Sequence, residues 1–280
     1  MPELCEVPEP TGLGRLIRLT ACGLCGSDVE KIGHAPPGTV LGHELEGRLE
    51  DGTRVTALHR VPCGECVRCR AGHESTCEAF VDEQLEPGGF AERLRATRVL
   101  PLPDWVAEGD GIWIEPLACV LRALEVVPRG RVLVVGCGAI GLLWVQALLR
   151  RGDDVAVAEP LAERAARAHS LGATHEGAVD AAVVTAPAGL GAALRRLEPG
   201  GTLLVFAAPP GEVPVELDLV YRRELRLLGS RSATPAAFAE ALSALPGFAL
   251  PEVVTLPLAR FDEGLALYRS GEALKVSFTP

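Results

Sequence analysis

The pattern of hydrophobic positions changes character near the middle of the chain. Up to about residue 105 the sequence is irregular and rich in glycine and proline, with short strand-like runs at 15–19 and 54–58. From about residue 117, apolar β-branched runs alternate with stretches rich in Ala, Leu and Arg. Buried strands that alternate with helices predict a doubly wound parallel α/β sheet. The first part instead predicts a β-rich domain with metal-bound loops.

The later elements define two predicted domains. In chain order, the predicted elements are RVLVVG (strand), AIGLLWVQALLRRG (helix), DVAVAE (strand), LAERAARAHSLGA (helix), AAVVTA (strand), GLGAALRRLEPGG (helix and turn), TLLVFA and LRLLGS (strands), TPAAFAEALSAL (helix), VVTL (strand), RFDEGLALYRSG (helix) and KVSFT (strand). We expect the tail to return to the first domain. The prediction is a discontinuous β-rich domain over 1–116 and 229–280, with an inserted α/β domain over 117–228.

Composition and charge exclude several classes of protein. Hydrophobic residues make up 48% of the 280 residues and charged residues 23%, so the chain can bury a sizeable core. A net charge of −10 argues against nucleic acid and anionic membranes as partners. The uncharged stretch 132–149 is interrupted by a glycine cluster, which favours a buried strand, turn and helix over a membrane span. With no recognisable targeting segment, we expect a reducing, cytoplasmic location.

Four cysteines form one compact run with the spacing C-x2-C-x2-C-x7-C: Cys63, Cys66, Cys69 and Cys77. Four thiolates complete a tetrahedral zinc shell with no position for substrate, which is typical of a structural site. The alternatives are disulfides, which suit small secreted domains, or an iron–sulfur cluster. The regular spacing favours zinc.

The segment GCGAIG follows a predicted strand and opens a predicted helix. It comprises Gly136, Gly138, Ala139, Ile140 and Gly141. The first glycine permits a tight turn, the second lets the backbone approach a pyrophosphate, and the third lets the helix pack on the strand. The helix N-terminus then faces the phosphates.

Glu159 ends the next predicted strand. A carboxylate at this position accepts a hydrogen bond from the ribose 2′-hydroxyl of NAD and repels a 2′-phosphate. Arg164 lies nearby, but one arginine beside Glu159 does not define an NADP site. The alternative is a glycine turn without nucleotide and a solvated glutamate.

A second set of metal-type residues lies outside the cysteine run. Cys25 stands in CGLCGSD, His43 and Glu44 in GHE, and Glu115 in WIEPLACVLRAL. One thiolate, one imidazole and one or two carboxylates make an open zinc site with a position for water or an alcohol. Zinc there would polarise an alcohol oxygen.

Taken together, these motifs resemble the zinc-dependent medium-chain alcohol dehydrogenases. The nearest branch is the polyol dehydrogenases (sorbitol or L-iditol 2-dehydrogenase), with threonine dehydrogenase as its neighbour. The matching segments are CGLCGSD, GHELEG, PCGECVRCRAGHESTC, PGGFAE, EPLACVLRAL, GCGAIG, RELRLLGSRSATPAAFAEAL and GEALKVSFTP. The resemblance implies a GroES-like catalytic domain, a Rossmann domain, two zinc ions, NAD, a small alcohol substrate (a polyol or sugar alcohol) and a homodimer or homotetramer.

The resemblance also implies the metal ligands. Cys25 and His43 match the ligands of the catalytic zinc. Glu115 matches an acidic position that ligates zinc directly or through water, and Glu44 matches a mobile ligand that exchanges with water. Which of the two carboxylates binds the resting zinc is left open.

Further roles follow from the same resemblance. Ser27 matches the hydroxyl that receives the alcohol proton, and Asp28 matches the carboxylate that orients the histidine ligand. Glu30 stands where the family often has a histidine that passes the proton to solvent; a glutamate is the poorer base near neutrality. Lys275 matches a basic residue that reaches a cofactor phosphate, with a surface lysine as the alternative.

The chain departs from the family in its shortened loops, which affect the substrate pocket and the proton exit. Two rival functions remain: a threonine or amino-alcohol dehydrogenase, and a non-catalytic protein that binds nucleotide and zinc. Both zinc motifs disfavour a zinc-free quinone reductase. The remaining histidines near the metal segments (His34, His59 and His73) have metal ligation as the alternative, but are expected to be solvated or to cap helices.

Overall fold

A computed structural model describes residues 2–79, 85–207 and 211–280. The chain divides into two compact units. The first comprises Met1–Ala118 and Ser232–Pro280, and the second comprises Cys119–Arg231.

Strands and helices alternate most regularly in the second unit. The strands are β1 (Arg15–Gly23), β2 (Glu44–Arg48), β3 (Arg54–Ala57), β4 (Leu85–Glu86), β5 (Arg93–Ala96), β6 (Val99–Pro101), β7 (Arg131–Val135), β8 (Asp154–Ala158), β9 (Val179–Val184), β10 (Leu197–Val205), β11 (Arg226–Gly229), β12 (Val253–Pro257) and β13 (Lys275–Thr279). The α-helices are α1 (Gly26–Lys31), α2 (Val67–Arg70), α3 (Ile114–Leu124), α4 (Ala139–Arg151), α5 (Ala162–Leu171), α6 (Leu190–Arg196), α7 (Leu217–Arg222), α8 (Pro235–Ala244) and α9 (Phe261–Ser270). No described helix combines the length and apolar character needed to cross a bilayer.

The first unit is built on a largely antiparallel sheet with the order β12-β13-β1-β2-β3-β6, to which β5 adds by pairing with β1 and β4. Apolar residues on one face of these strands form its core, including Ile17, Leu45, Val55 and Leu94, all fully buried. This β-rich domain was predicted and is confirmed. The closing strand β13 lies between β1 and β12, so the C-terminal segment is an integral part of the sheet.

The second unit contains a five-stranded parallel sheet with the order β11-β10-β9-β7-β8. The apolar β-branched runs fill its central strands, and residues 132–134 and 181–184 are almost completely buried. The strand order departs from β7 in both directions, as in a doubly wound fold. The predicted parallel sheet is confirmed.

Some element bounds differ from the prediction. The segment predicted as a turn before TLLVFA already belongs to β10, because Leu197 pairs with Val179 before the register shifts ahead of Thr202. Likewise, β1 continues to Gly23, beyond the predicted end at 19, because Cys22 and Gly23 pair with both β2 and β13.

Candidate active site and zinc sites

The four-cysteine lobe brings its sulfur atoms together. The Cys63 and Cys77 Sγ atoms are 3.5 Å apart, and the four sulfur atoms all lie within 4.8 Å of one another. All four are free thiols. The backbone amides of Cys66 and Cys69 donate to the preceding sulfurs over 3.3 and 3.4 Å, and the amide of Cys69 is the main cause that lowers the pKa of Cys66 to about 6. A convergent set of four thiols with amide donors fits a structural zinc site.

The second metal-type set begins at the N-terminus of α1. Cys25 is the N-cap residue, with an extended backbone (φ −99°, ψ 151°). Its amide donates to Asp28 Oδ2 over 3.2 Å, and Ser27 Oγ donates to Cys25 Sγ over 3.3 Å. The capping arrangement therefore fixes the thiol and places the Ser27 hydroxyl directly beside it.

Asp28 orients His43. Its Oδ1 lies 3.3 Å from His43 Nδ1 and accepts from the Gly42 amide over 3.2 Å. Burial alone would raise the pKa of Asp28, but the facing imidazole, together with the amides of Cys25 and Gly42, outweighs it and holds this pKa below its usual value. Burial would likewise lower the pKa of His43, but Asp28 and Cys25 hold it well above its usual value. With Nδ1 facing Asp28, Nε2 of His43 is available as a ligand atom.

Glu44 is paired with Lys275. The lysine Nζ donates to Glu44 Oε2 and also to the Leu24 carbonyl at 3.3 Å. Both side chains are buried, so the interpretation of Lys275 as a surface lysine is wrong. Burial would lower the pKa of Lys275, yet Glu44, Cys25 and Glu115 together outweigh it and the pKa lies above its usual value. A Cβ at Gly23 would lie 2.6 Å from Glu44 Oε2, so the glycine makes room for this pair.

Glu115 lies in the first turn of α3 and is buried. Its Oε1 is 3.9 Å from His59 Nδ1, and the ring centres of His59 and His43 are 4.6 Å apart. The expectation that His59 is solvated is wrong, because its side chain is only 18% exposed. Its place in the sequence beside the metal segments was a weak signal, and the approach of Glu115 depends on the fold.

Two overlapping sets of donor atoms result, each within 4.8 Å. They are Cys25 with His43 and Glu44, and His43 with His59 and Glu115. Thiolate, imidazole and carboxylate are the ligands that zinc takes in catalytic sites, so the residues fit that metal. Glu30 is exposed on α1 and outside both sets.

The glycine loop of the second unit has the conformation that a dinucleotide site requires. Gly136 has φ +89°, and a Cβ at Gly141 would lie 1.9 Å from the Gly136 carbonyl oxygen. At Gly138, the nearest atom to a Cβ would be Arg164 Nη1 at 4.0 Å, which leaves the backbone open to a ligand. Helix α4 begins directly afterwards at Ala139, followed by Ile140.

Glu159 lies at the same loop, directly after β8. Its Oε2 accepts from the Cys137 amide over 2.7 Å, and its Oε1 accepts from the Leu161 amide over 2.9 Å. These two contacts hold the carboxylate beside the glycine turn, where a nucleotide ribose is recognised in such folds. The loop and Glu159 therefore fit NAD.

Comparisons with known proteins agree with this description. Residues 14–104 match the model of the alcohol dehydrogenase GroES-like domain. The chain is 31% identical over 262 residues to D-altritol 5-dehydrogenase of Agrobacterium fabrum, covering 78% of this chain and 76% of the relative. It is 28% identical over 274 residues to L-galactonate-5-dehydrogenase of Escherichia coli, covering 84% of this chain and 81% of the relative. The alcohol dehydrogenase of Aeropyrum pernix shares the fold with a TM-score of 0.86 at 23% identity. The match covers 99% of this chain and 96% of the other.

A GroES-like unit, a parallel sheet with a dinucleotide-type glycine loop, a four-cysteine cluster and the donor sets that share His43 define a class of zinc-binding dehydrogenases. The chain belongs to the zinc-type medium-chain alcohol dehydrogenase family, through its polyol branch. The resemblance drawn from the sequence motifs is thereby confirmed.

Proposed function

We propose that this protein oxidises a secondary alcohol of a polyol or sugar, with NAD as the hydride acceptor and zinc at the Cys25–His43 site. The observation that carries the proposal is that His43, fixed by Asp28, belongs to two convergent sets of donor atoms, one with Cys25 and Glu44 and the other with His59 and Glu115. The relatives D-altritol 5-dehydrogenase and L-galactonate-5-dehydrogenase support the substrate class.

We assign Cys25, His43 and Glu115 as residues that hold the catalytic zinc. Glu115 is the preferred carboxylate because the charge of Glu44 is already balanced by Lys275. When bound, zinc supplies Lewis acidity that lowers the pKa of an alcohol hydroxyl. The pairing with Glu44 also assigns Lys275 to charge balance, in place of the cofactor phosphate.

The proton path uses residues of α1. Ser27 Oγ lies 3.3 Å from Cys25 Sγ, so it is placed to accept the proton of a hydroxyl held at the site. Glu30, exposed on the same helix, would release it to solvent. Asp28 keeps the His43 tautomer fixed throughout.

We assign the cofactor to the glycine loop. The approach at Gly138 and the amides that begin α4, at Ala139 and Ile140, suit a pyrophosphate. Arg164 is close enough to Gly138 to add a positive charge. Glu159 selects NAD because its carboxylate repels a 2′-phosphate.

We further propose a homo-oligomer in a reducing cytoplasm. Strand β11 is an edge of the parallel sheet, and all four of its residues are exposed. Its Leu227 and Leu228 are exposed, as are Leu217 and Tyr221 of the preceding helix α7. An apolar open edge of this kind suits a second copy of the chain, which light scattering coupled to gel filtration would detect.

The function is tested by NADH formation. Zinc-loaded protein is assayed with NAD and a panel of polyols, cyclitols, sugars and threonine. We expect turnover of a sugar alcohol, and a rate on threonine alone would favour the amino-alcohol alternative. Absence of any rate, with NADH binding intact, would favour the non-catalytic alternative.

The role of Cys25 is tested by Cys25→Ser, with Cys5→Ser at an exposed free thiol as the matched control. We expect Cys25→Ser to lose turnover by more than about 100-fold, the upper end of effects seen for residues that only orient ligands. NADH binding should be retained. Loss of both properties would contradict the assignment of Cys25 to zinc alone.

A further inference from the structure

His59 lies against the proposed catalytic site in a position that the family resemblance did not assign. Its ring centre is 4.6 Å from that of His43, and the two ring planes are tilted by 47°. Its Nδ1 is 3.9 Å from Glu115 Oε1. One donor atom from each of these three residues lies within 4.8 Å of the others, as closely as in the set that contains Cys25.

The residues on both sides of His59 are held by hydrogen bonds, through the backbone at Leu58 and through the side chain at Arg60. Leu58, which directly follows β3, donates its amide to the Arg98 carbonyl over 3.0 Å. On the other side, Arg60 Nη1 donates to Ser232 Oγ over 3.0 Å. Both neighbours of His59 are therefore held in place, which favours a defined position for the imidazole.

The chemistry of the set points to a metal. Two imidazoles and one carboxylate are the ligand combination of several catalytic zinc sites. The Glu44 carboxylate is a less available zinc ligand, because it accepts a hydrogen bond from Lys275. The imidazole of His59 offers a ligand atom in place of the Glu44 carboxylate.

We propose that His59 is a ligand of the catalytic zinc, together with Cys25, His43 and Glu115. This inference rests on the proposed function. It gives a set of one thiolate, two imidazoles and one carboxylate, with Glu44 held apart on Lys275. A fourth protein ligand is compatible with substrate binding, because catalytic zinc can become five-coordinate.

X-ray absorption spectroscopy of the wild-type protein tests the inference without any substitution. The zinc-loaded chain should show two coordinated imidazoles per chain, His43 and His59. A single imidazole per chain would overturn the role of His59 and leave the proposed function intact. Absence of any imidazole, or binding of only one zinc per chain, would instead overturn the proposed zinc site itself.

Competition with a chromophoric zinc chelator tests the same inference through substitutions. We expect His59→Ala to weaken the more labile zinc by more than about 100-fold, beyond the roughly 10- to 100-fold effect of residues that only orient a ligand. His34→Ala, at an exposed histidine of the same unit, is the matched control and should retain both ions. The four-cysteine zinc should remain in both variants, and circular dichroism reports whether each is folded. Unchanged zinc affinity in folded His59→Ala would overturn the inference.

Discussion

Lys275 donates a hydrogen bond from Nζ to the Glu44 carboxylate, and the two buried side chains come from opposite ends of the chain. Lys275 opens β13, and Glu44 opens β2. Both strands pair with β1, which places the two residues on either side of Gly23. The sheet thus brings a cation to one of the carboxylates beside the zinc-type residues.

Removing the cation should destabilise the protein strongly. Lys275→Met leaves the buried Glu44 charge without its partner, and we expect a loss of about 3–5 kcal/mol in the free energy of unfolding. The double variant Glu44→Gln/Lys275→Met should lose less, because no lone charge remains. Urea unfolding at neutral pH measures both, with the exposed Lys31→Met as the control. Equal losses in the single and double variants would contradict this account.

Asp28 should act on zinc through His43. Asp28→Asn removes the charge that faces the His43 Nδ1 atom, and we expect zinc affinity at this site to fall roughly 10- to 100-fold. Chelator competition measures the change, and Asp218→Asn on the exposed surface of α7 serves as the control. Wild-type affinity in a folded Asp28→Asn protein would exclude the orienting role.

Two glycines of the nucleotide loop should respond differently to the same added methyl group. Gly141→Ala places a Cβ 1.9 Å from a backbone oxygen, so we expect a loss of about 1–3 kcal/mol in stability. Gly138→Ala has open space, with its nearest neighbour at 4.0 Å, and should fold normally. Because it fills the approach to the pyrophosphate, it should weaken NADH binding at least about tenfold, or about 1.4 kcal/mol. Thermal unfolding measures the loss of stability, and NADH fluorescence titration measures the loss of binding. Identical behaviour of the two variants in both measurements would refute the different roles assigned to the two glycines.

Glu159 should set the choice of dinucleotide. Glu159→Gly removes the carboxylate that repels a 2′-phosphate, so the ratio of kcat/KM for NAD over NADP should fall. Glu176→Gly, at an exposed loop position, is the matched control. An unchanged ratio would remove Glu159 from the ribose site.

Asp180 should give the second unit a weak acid dependence. Three hydrogen bonds from Arg131, from its backbone amide, Nε and Nη2, reach this carboxylate. The Arg131 contacts hold the pKa of Asp180 below its usual 3.8. Its stabilisation is therefore present above pH 3.8 and lost as the pH falls through the lowered value.

The size of that effect is limited by solvent. The Asp180 side chain is 39% exposed, so screening should keep the contribution below about 1 kcal/mol. The stabilities of wild type and Asp180→Asn from urea unfolding should differ at pH 7, and the difference should shrink as the pH falls below 3.8. A constant difference across this range would show that the charge is not responsible.

Much of this structure can be predicted from local sequence patterns. The apolar runs around residues 132–135 and 181–184 predict buried parallel strands because such runs have few other stable placements. The glycine spacing and the cysteine spacing are likewise local, and both segments adopt the expected conformations.

Contacts between distant segments were harder to predict. Lys275 carries no local sign that it is buried on Glu44, and His59 carries none that it approaches Glu115. The first depends on strand pairing, and the second on the approach of α3 to the segment that follows β3. The early start of β10 is of the same kind, because a register shift, rather than residue preference, places Leu197 beside Val179.

The first unit is made from two stretches of chain separated by the whole of the second. On the ribosome, Cys25 and His43 emerge long before the segment that carries β13. A nascent chain therefore passes through a stage in which the second unit can already fold while Glu44 still lacks its cation. Completion of the zinc-binding unit is a late event of biosynthesis, and metal acquired before that event would enter a site of different charge.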